Sequence, residues 1–270
     1  MPDPFYESGR PRVQPPRERL LDRLAHALLP APCLGCGRPL PAAGSPLSLC
    51  AVCRAALAPP TPREACAVCL RPLAAHALPE DYRCGACRER PPAFDRLLAL
   101  WSYRPPLDAV VRGLKFGRLD YLGRHLAEAM AAGLILRLAG CDRVVPVPLH
   151  WRRRLARGYN QAERIARPLA HRLGLPCVQA LARRRATPPQ SLLGREERLA
   201  NLRRAFHVPR PELLRGLHVL LVDDVATTGA TLDAAAGALK KAGAAAVTAL
   251  VAGRTPLDPL AAGRSADPTG

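Results

Sequence analysis

Asp223 and Asp224 stand side by side after the run Val219-Leu220-Leu221-Val222, and Val225-Ala226-Thr227-Thr228-Gly229-Ala230-Thr231-Leu232 follows them. Four apolar residues without polar alternation predict a parallel strand covered on both faces. The abrupt turn to polar residues marks its carboxyl end, where open α/β sheets bind ligands. Gly229 permits backbone angles closed to other residues, so the N–H groups of Thr227 to Thr231 can converge on one anion at the start of the next helix. Threonine hydroxyls add donors. The carboxylates do not bind that anion; they suit sugar hydroxyls or a hydrated magnesium ion. Helix capping by Asp224 and Thr228 alone explains neither two adjacent carboxylates nor three threonines around a glycine. The chemistry is that of a sugar phosphate site.

A second chemistry lies in the cysteines. Cys33-x-x-Cys36 and Cys50-x-x-Cys53 are matched by Cys66-x-x-Cys69 and Cys84-x-x-Cys87, an internal repeat. Each CxxC offers two sulfurs to a corner of a tetrahedron, and two such knuckles close a four-thiolate zinc site with no open position, which is structural. Two zinc ions are expected, with Gly35, Gly37 and Gly85 in the tight turns, and metal must supply stability that these segments, poor in large apolar residues, lack. An interleaved ligand arrangement stays open, because spacing does not fix connectivity. Cys141 and Cys177 stand alone and read as buried apolar residues.

The elements that must position these groups alternate. Strands are predicted over 96–103, 144–147, 219–222 and 247–251, with helices over 107–116, 119–138, 158–173 and 231–242. That order implies a parallel sheet flanked by helices. Residues 1–29 read as a leader with a short amphipathic helix carrying Leu20, Leu21, Leu24 and Leu28. Residues 30–92 form the cysteine module, 93–254 the α/β domain and 255–270 a disordered tail.

Two further segments carry chemistry. Leu149-His150-Trp151 leads through three arginines, Arg152, Arg153 and Arg154, to a fourth in Arg157-Gly158-Tyr159-Asn160-Gln161. At a strand's carboxyl end these arginines suit a pyrophosphate, and the amides of Asn160 and Gln161 suit a base or a second loop; a solvated helix start remains the alternative. Between Leu181 and Phe206 lies a polar, proline-containing insertion, expected to be either a lid or a disordered loop. As a lid it brings Arg195 or Arg198 to a leaving pyrophosphate and excludes water from a reactive sugar cation.

The segment around Asp223 and Asp224 resembles the phosphoribosyl pyrophosphate (PRPP) signature of type I phosphoribosyltransferases. That resemblance implies that the acidic pair touches the ribose 2′- and 3′-hydroxyls and stabilises charge on the ring. It also implies that Ala226, Thr227, Thr228, Gly229, Ala230 and Thr231 hold the 5′-phosphate. With the cysteine repeat, Leu114-Lys115-Phe116-Gly117, Val145-Pro146-Val147-Pro148-Leu149-His150, Arg157-Gly158-Tyr159-Asn160-Gln161, Thr187-Pro188-Pro189-Gln190 and Asn201-Leu202-Arg203, residues 30 to 254 resemble the ComF family of competence-associated proteins. The resemblance implies a double zinc ribbon on a phosphoribosyltransferase-like fold, binding PRPP with magnesium, and a role in DNA uptake, natural transformation or nucleotide salvage. Leu149, His150, Arg157, Tyr159, Asn160 and Gln161 then join the cofactor-binding set. A glutamine-dependent amidotransferase is not expected, because no domain with an amino-terminal cysteine nucleophile precedes the cysteine module.

The formal charge is +18, and two zinc tetrathiolates lower it to about +14. Lysine occurs only at Lys115, Lys240 and Lys241, so the excess is arginine and reflects either a polyanion surface or biased composition. No apolar run reaches the length of a membrane helix and no secretory signal opens the chain, so a cytoplasmic protein without membrane insertion is expected. Two functions compete: a PRPP-using transferase, and a non-catalytic competence protein that binds single-stranded DNA and DNA-uptake partners. Aromatic residues are only 4%, which weighs against base stacking as the main binding energy.

Overall fold

The computed structural model describes residues 31–41, 45–60, 65–73, 79, 81–149, 151–183 and 205–256. The expected leader helix, His150, the Thr187–Gln190 and Asn201–Arg203 motifs, Arg195, Arg198 and the end of the tail lie outside them.

Four parallel strands form the centre: β1 (Arg96–Ser102), β2 (Arg143–Pro146), β5 (His218–Ala226) and β6 (Ala246–Arg254), ordered β1-β6-β5-β2. The two inner strands are apolar in unbroken runs because each face has its own cover. On one face Leu98, Val144, Leu220, Val222 and Leu250 pack under α3 (Leu107–Phe116), α4 (Leu122–Leu134) and α6 (Gln161–Leu173). Helix α3 buries Leu107, Val110, Val111 and Leu114, the spacing of a single amphipathic stripe. On the other face Leu97, Val145, Leu221, Val247 and Val251 pack under α7 (Ala230–Lys241), which contributes Leu232, Ala235 and Leu239.

The cysteine repeat divides between these faces. The first module, with α1 (Ala51–Ala55), packs Cys33, Leu40, Leu47 and Leu49 into the α3–α4 side; the second, with α2 (Gly85–Glu89), packs Cys66, Val68, Leu70, Cys84 and Cys87 into the α7 side. Both also cover the outer edge of β1. Leu97 N–H donates to the Val68 carbonyl at 2.8 Å, and Ser102 N–H to the Ala58 carbonyl at 3.0 Å. An edge strand is thereby closed to further pairing. Gly35 permits the close approach of the first knuckle, since a Cβ there would lie 2.9 Å from Cys53 Sγ and 3.0 Å from Pro106 Cβ.

Several boundaries differ from expectation. The helix expected over 158–173 is α6, which starts only at Gln161, and a separate short helix, α5 (Trp151–Arg157), precedes it, because Gly158 turns the chain at φ +80° and Asn160 caps a fresh start. The helix expected over 119–138 is regular only from Leu122 to Leu134 and ends in a 3₁₀ turn over Ile135–Arg137. A two-residue antiparallel pair, β3 (Ala182–Arg183) and β4 (Phe206–His207), joins the two ends of the 184–204 segment. No described helix is long and apolar enough to cross a membrane.

Candidate phosphoribosyl site and cysteine centres

Strand β5 does not stop at Val222. It runs through the acidic pair to Ala226, because β6 continues alongside it as far as the Ala226–Arg254 register position. The turn then reaches Gly229 at φ +85°, and Thr228 Oγ1 accepts from Ala230 N–H at 3.3 Å as α7 begins. Backbone amides at the amino end of a twelve-residue helix thus follow directly on two carboxylates.

A cleft of about 340 Å³ opens above these strand ends, lined by residues that include Asp223, Asp224, Thr227 and Thr231 from β5 and α7. From the β2 side come Leu149, Arg157, Asn160 and Gln161, the last beginning α6. The size suits a small polar ligand. Arg157 donates to Gln161 Oε1 at 3.2 Å, lies 4.7 Å over the Phe116 ring, and leaves the buried Gln161 Nε2 without a partner among the described residues. Tyr159 is not among the lining residues; its hydroxyl donates to the Leu114 carbonyl and fastens α3. Asn160 lines the cleft and also holds the local backbone, donating to the Val147 carbonyl at 3.0 Å and accepting from Ala162 N–H at 3.2 Å.

The acidic pair is electrostatically asymmetric. Asp224 is buried, and its Oδ1 lies 3.0 Å from Lys115 Nζ. Burial and the adjacent Asp224 carboxylate raise Asp223 to about 7, against the opposing pull of Lys115 and Arg183. One proton at this pair therefore titrates near neutrality, and a bound cation would displace it.

Four residues at the cleft escaped the sequence reading: Lys115 as a partner of Asp224, Tyr103 and Arg183 as lining, and Arg254 beneath the loop. Lys115 carried a signal, being one of three lysines in a chain that otherwise uses arginine. The others carried none.

The cysteines gather as two sequential sets, Cys33, Cys36, Cys50 and Cys53, and Cys66, Cys69, Cys84 and Cys87, with the sulfurs of each set within 4.8 Å of one another. The interleaved arrangement is excluded. Cys36 and Cys50 sulfurs are 3.7 Å apart and Cys69 and Cys84 sulfurs 3.8 Å, against about 3.8 Å between thiolates of a tetrahedral zinc centre. Backbone N–H groups of Cys50 and Cys84 point at the Cys33 and Cys66 sulfurs at 3.2 and 3.3 Å, as thiolates require. Burial pushes the Cys33 thiol up, but backbone donors from Cys50, Cys36 and Gly35 outweigh it and bring it to about 6. Burial and the other sulfurs push Cys53 up to about 12. A set in which the first thiol ionises easily and the last resists needs a divalent cation to take all four as thiolates. Both sets fit structural zinc.

Comparison with known proteins agrees with this architecture. Residues 159–258 match the phosphoribosyl transferase domain. The chain is 38% identical over 227 residues to the DNA utilization protein YhgH of Salmonella typhimurium, covering 81% of this chain and 95% of that protein. It is 32% identical over 168 residues to Competence protein F of Haemophilus influenzae, covering 59% of this chain and 73% of that one. It is 28% identical over 204 residues to Competence protein ComFC of Bacillus subtilis, covering 73% and 80%. A parallel sheet with an acidic pair and threonine turn at its carboxyl edge, two four-cysteine centres before it and near full-length similarity to YhgH together place this chain in the ComF family of phosphoribosyltransferase-fold proteins.

Proposed function

We propose that the cleft binds the 5-phosphoribosyl group of PRPP or a nucleotide with magnesium, and that the protein acts in the uptake or use of external DNA, as the names of its relatives say of them. One observation carries the reading: Asp223, Asp224, Thr227 and Thr231 face a single cleft at the carboxyl ends of the sheet, at the start of α7. The amides from Thr227 to Thr231 take the 5′-phosphate, and Asp223 and Asp224 take the ribose hydroxyls. Arg157 and Gln161 line the same cleft and are the groups assigned to the pyrophosphate, the buried Gln161 amide having a donor to give. Magnesium neutralises the pyrophosphate when bound. In transfer, a nucleophile from a second substrate attacks C1 and pyrophosphate leaves, while the carboxylates stabilise positive charge spreading over the ring. Arg195 and Arg198 extend this proposal to the leaving group.

A second reading, single-stranded DNA binding without transfer, is favoured by the +18 charge, which is almost entirely arginine. The two are separated by thermal stabilisation with PRPP, ribose 5-phosphate and pyrophosphate, each with magnesium, beside anisotropy of a labelled oligonucleotide over a salt series. Stabilisation by PRPP beyond either fragment supports the sugar-phosphate site. Indifference to all three ligands, with oligonucleotide affinity that falls steeply with salt, supports the DNA reading alone.

A further inference from the structure

Arg254 ends β6 and is 2% exposed, the largest fully buried side chain of the described residues. Its Nη1 donates to the Ala226 carbonyl at 3.1 Å and to the Thr227 carbonyl, and its Nε meets no acceptor among the described residues. No carboxylate among the described residues pairs with it. A guanidinium keeps its charge and is rarely buried unless something offsets it. Two carbonyls supply only dipoles.

The second cysteine set lies on the same face of the sheet. Ala226, the register partner of Arg254, packs in the apolar cluster that holds Cys66, Val68, Leu70, Cys84 and Cys87, with Cys69 against that cluster. Burial disfavours the charged guanidinium; Cys69 favours it and Arg71 opposes it. The first cysteine set lies across the sheet, in the cluster beneath α3 and α4. In a trans peptide the C=O and the next N–H point in opposite directions. Holding the Ala226 and Thr227 carbonyls toward Arg254 therefore turns the N–H groups of Thr227 and Thr228 the other way.

We propose that Arg254 is a positioning residue that ties the phosphate loop to the second cysteine centre. The net negative charge of a zinc tetrathiolate at Cys66, Cys69, Cys84 and Cys87 keeps the guanidinium buried, and the guanidinium fixes the carbonyls that orient the loop amides. The assignment rests on reading that loop as an anion cradle. It gives the two centres different duties: both are structural, and only the second also sets the loop.

Hydrogen–deuterium exchange on the full-length zinc protein without ligand tests this, with zinc content measured on every variant. Cys69→His keeps a ligand while removing one negative charge from the second centre; Cys36→His does the same at the first. Exchange of amides 227–231 is expected to quicken about tenfold in Arg254→Met and to quicken in Cys69→His, to stay unchanged in Cys36→His, and to be partly restored in Arg254→Lys. Adding Cys69→His to Arg254→Met is expected to change nothing further at the loop, whether or not the metal is retained. An unchanged loop in Arg254→Met overturns the proposal, and so do equal effects of the two histidine variants or full additivity in the double variant. A titration of the wild type with PRPP and magnesium runs beside it. If PRPP does not bind, the ligand reading falls, while the exchange pattern still decides the coupling.

Discussion

Lys115 Nζ lies 3.0 Å from Asp224 Oδ1, joining the last turn of the helix Leu107–Phe116 to the acidic pair on the strand His218–Ala226. The carboxylate is buried and the ammonium about one-quarter exposed, so the pair is only partly screened by solvent. Removing the cation alone leaves an uncompensated buried carboxylate. Lys115→Met is expected to cost about 2–3 kcal/mol, less than for a fully buried pair. Lys115→Met with Asp224→Asn is expected to recover most of that loss. Urea unfolding of the four members of the cycle measures the coupling.

Asp223 supplies a pH signature. Its folded value is raised to about 7, by burial and then by Asp224, so the folded chain holds a proton that the unfolded chain has already lost across the interval from the ordinary carboxylate range to 7. The stability contributed by the protonated group is complete below that interval and is lost as pH rises through 7. Asp223→Asn lacks this dependence. Its stability relative to wild type is expected to grow from about pH 4 to 7 and then level off, measured by denaturant unfolding at constant ionic strength. A magnesium ion bound at the pair would move the wild-type transition to lower pH.

Each cysteine set is expected to hold one zinc ion, giving close to two per chain by elemental analysis. Cys66→Ser is expected to lose one and to expose the outer edge of the first strand, whose Leu97 N–H donates to the Val68 carbonyl. Amide exchange at Leu97 is expected to quicken. Leu220, fully buried on the inner strand His218–Ala226, serves as the internal reference and is expected to exchange only on global unfolding.

Gly229 tests the turn. A Cβ there would meet nothing within 4 Å, so the cost of Gly229→Ala is purely conformational, from a side chain held at φ +85°. About 1–2 kcal/mol of stability is expected to be lost, with a larger loss of phosphate-ligand affinity as the amides from Thr227 to Thr231 shift. Melting temperature and ligand titration on the same variant separate the two effects.

Periodicity and local chemistry were legible in the sequence. The helix Leu107–Phe116 has the expected bounds, since its stripe is complete and proline and glycine flank it. The cysteine spacing exposed two four-thiolate sets, but their pairing, and their division between opposite faces of the sheet, depends on tertiary packing that spacing does not encode. The apolar run ending at Val222 hid four further strand residues, which are strand only because Ala246–Arg254 pairs beside them. Two-residue strands such as Ala182–Arg183 carry no period to detect. Arg254 lies beyond the strand expected over 247–251, and only the fold carries the strand on to it and turns it inward beneath Ala226 and Thr227.

Whether the carboxylates and the threonine turn together grip a ribose phosphate is decided by calorimetric titration of the full-length zinc protein with PRPP and magnesium, for wild type and for Asp224→Ala. Saturable one-to-one binding in the wild type, weakened at least about tenfold in the variant, is the expected result. No binding by the wild type, or equal binding by both proteins, would contradict it.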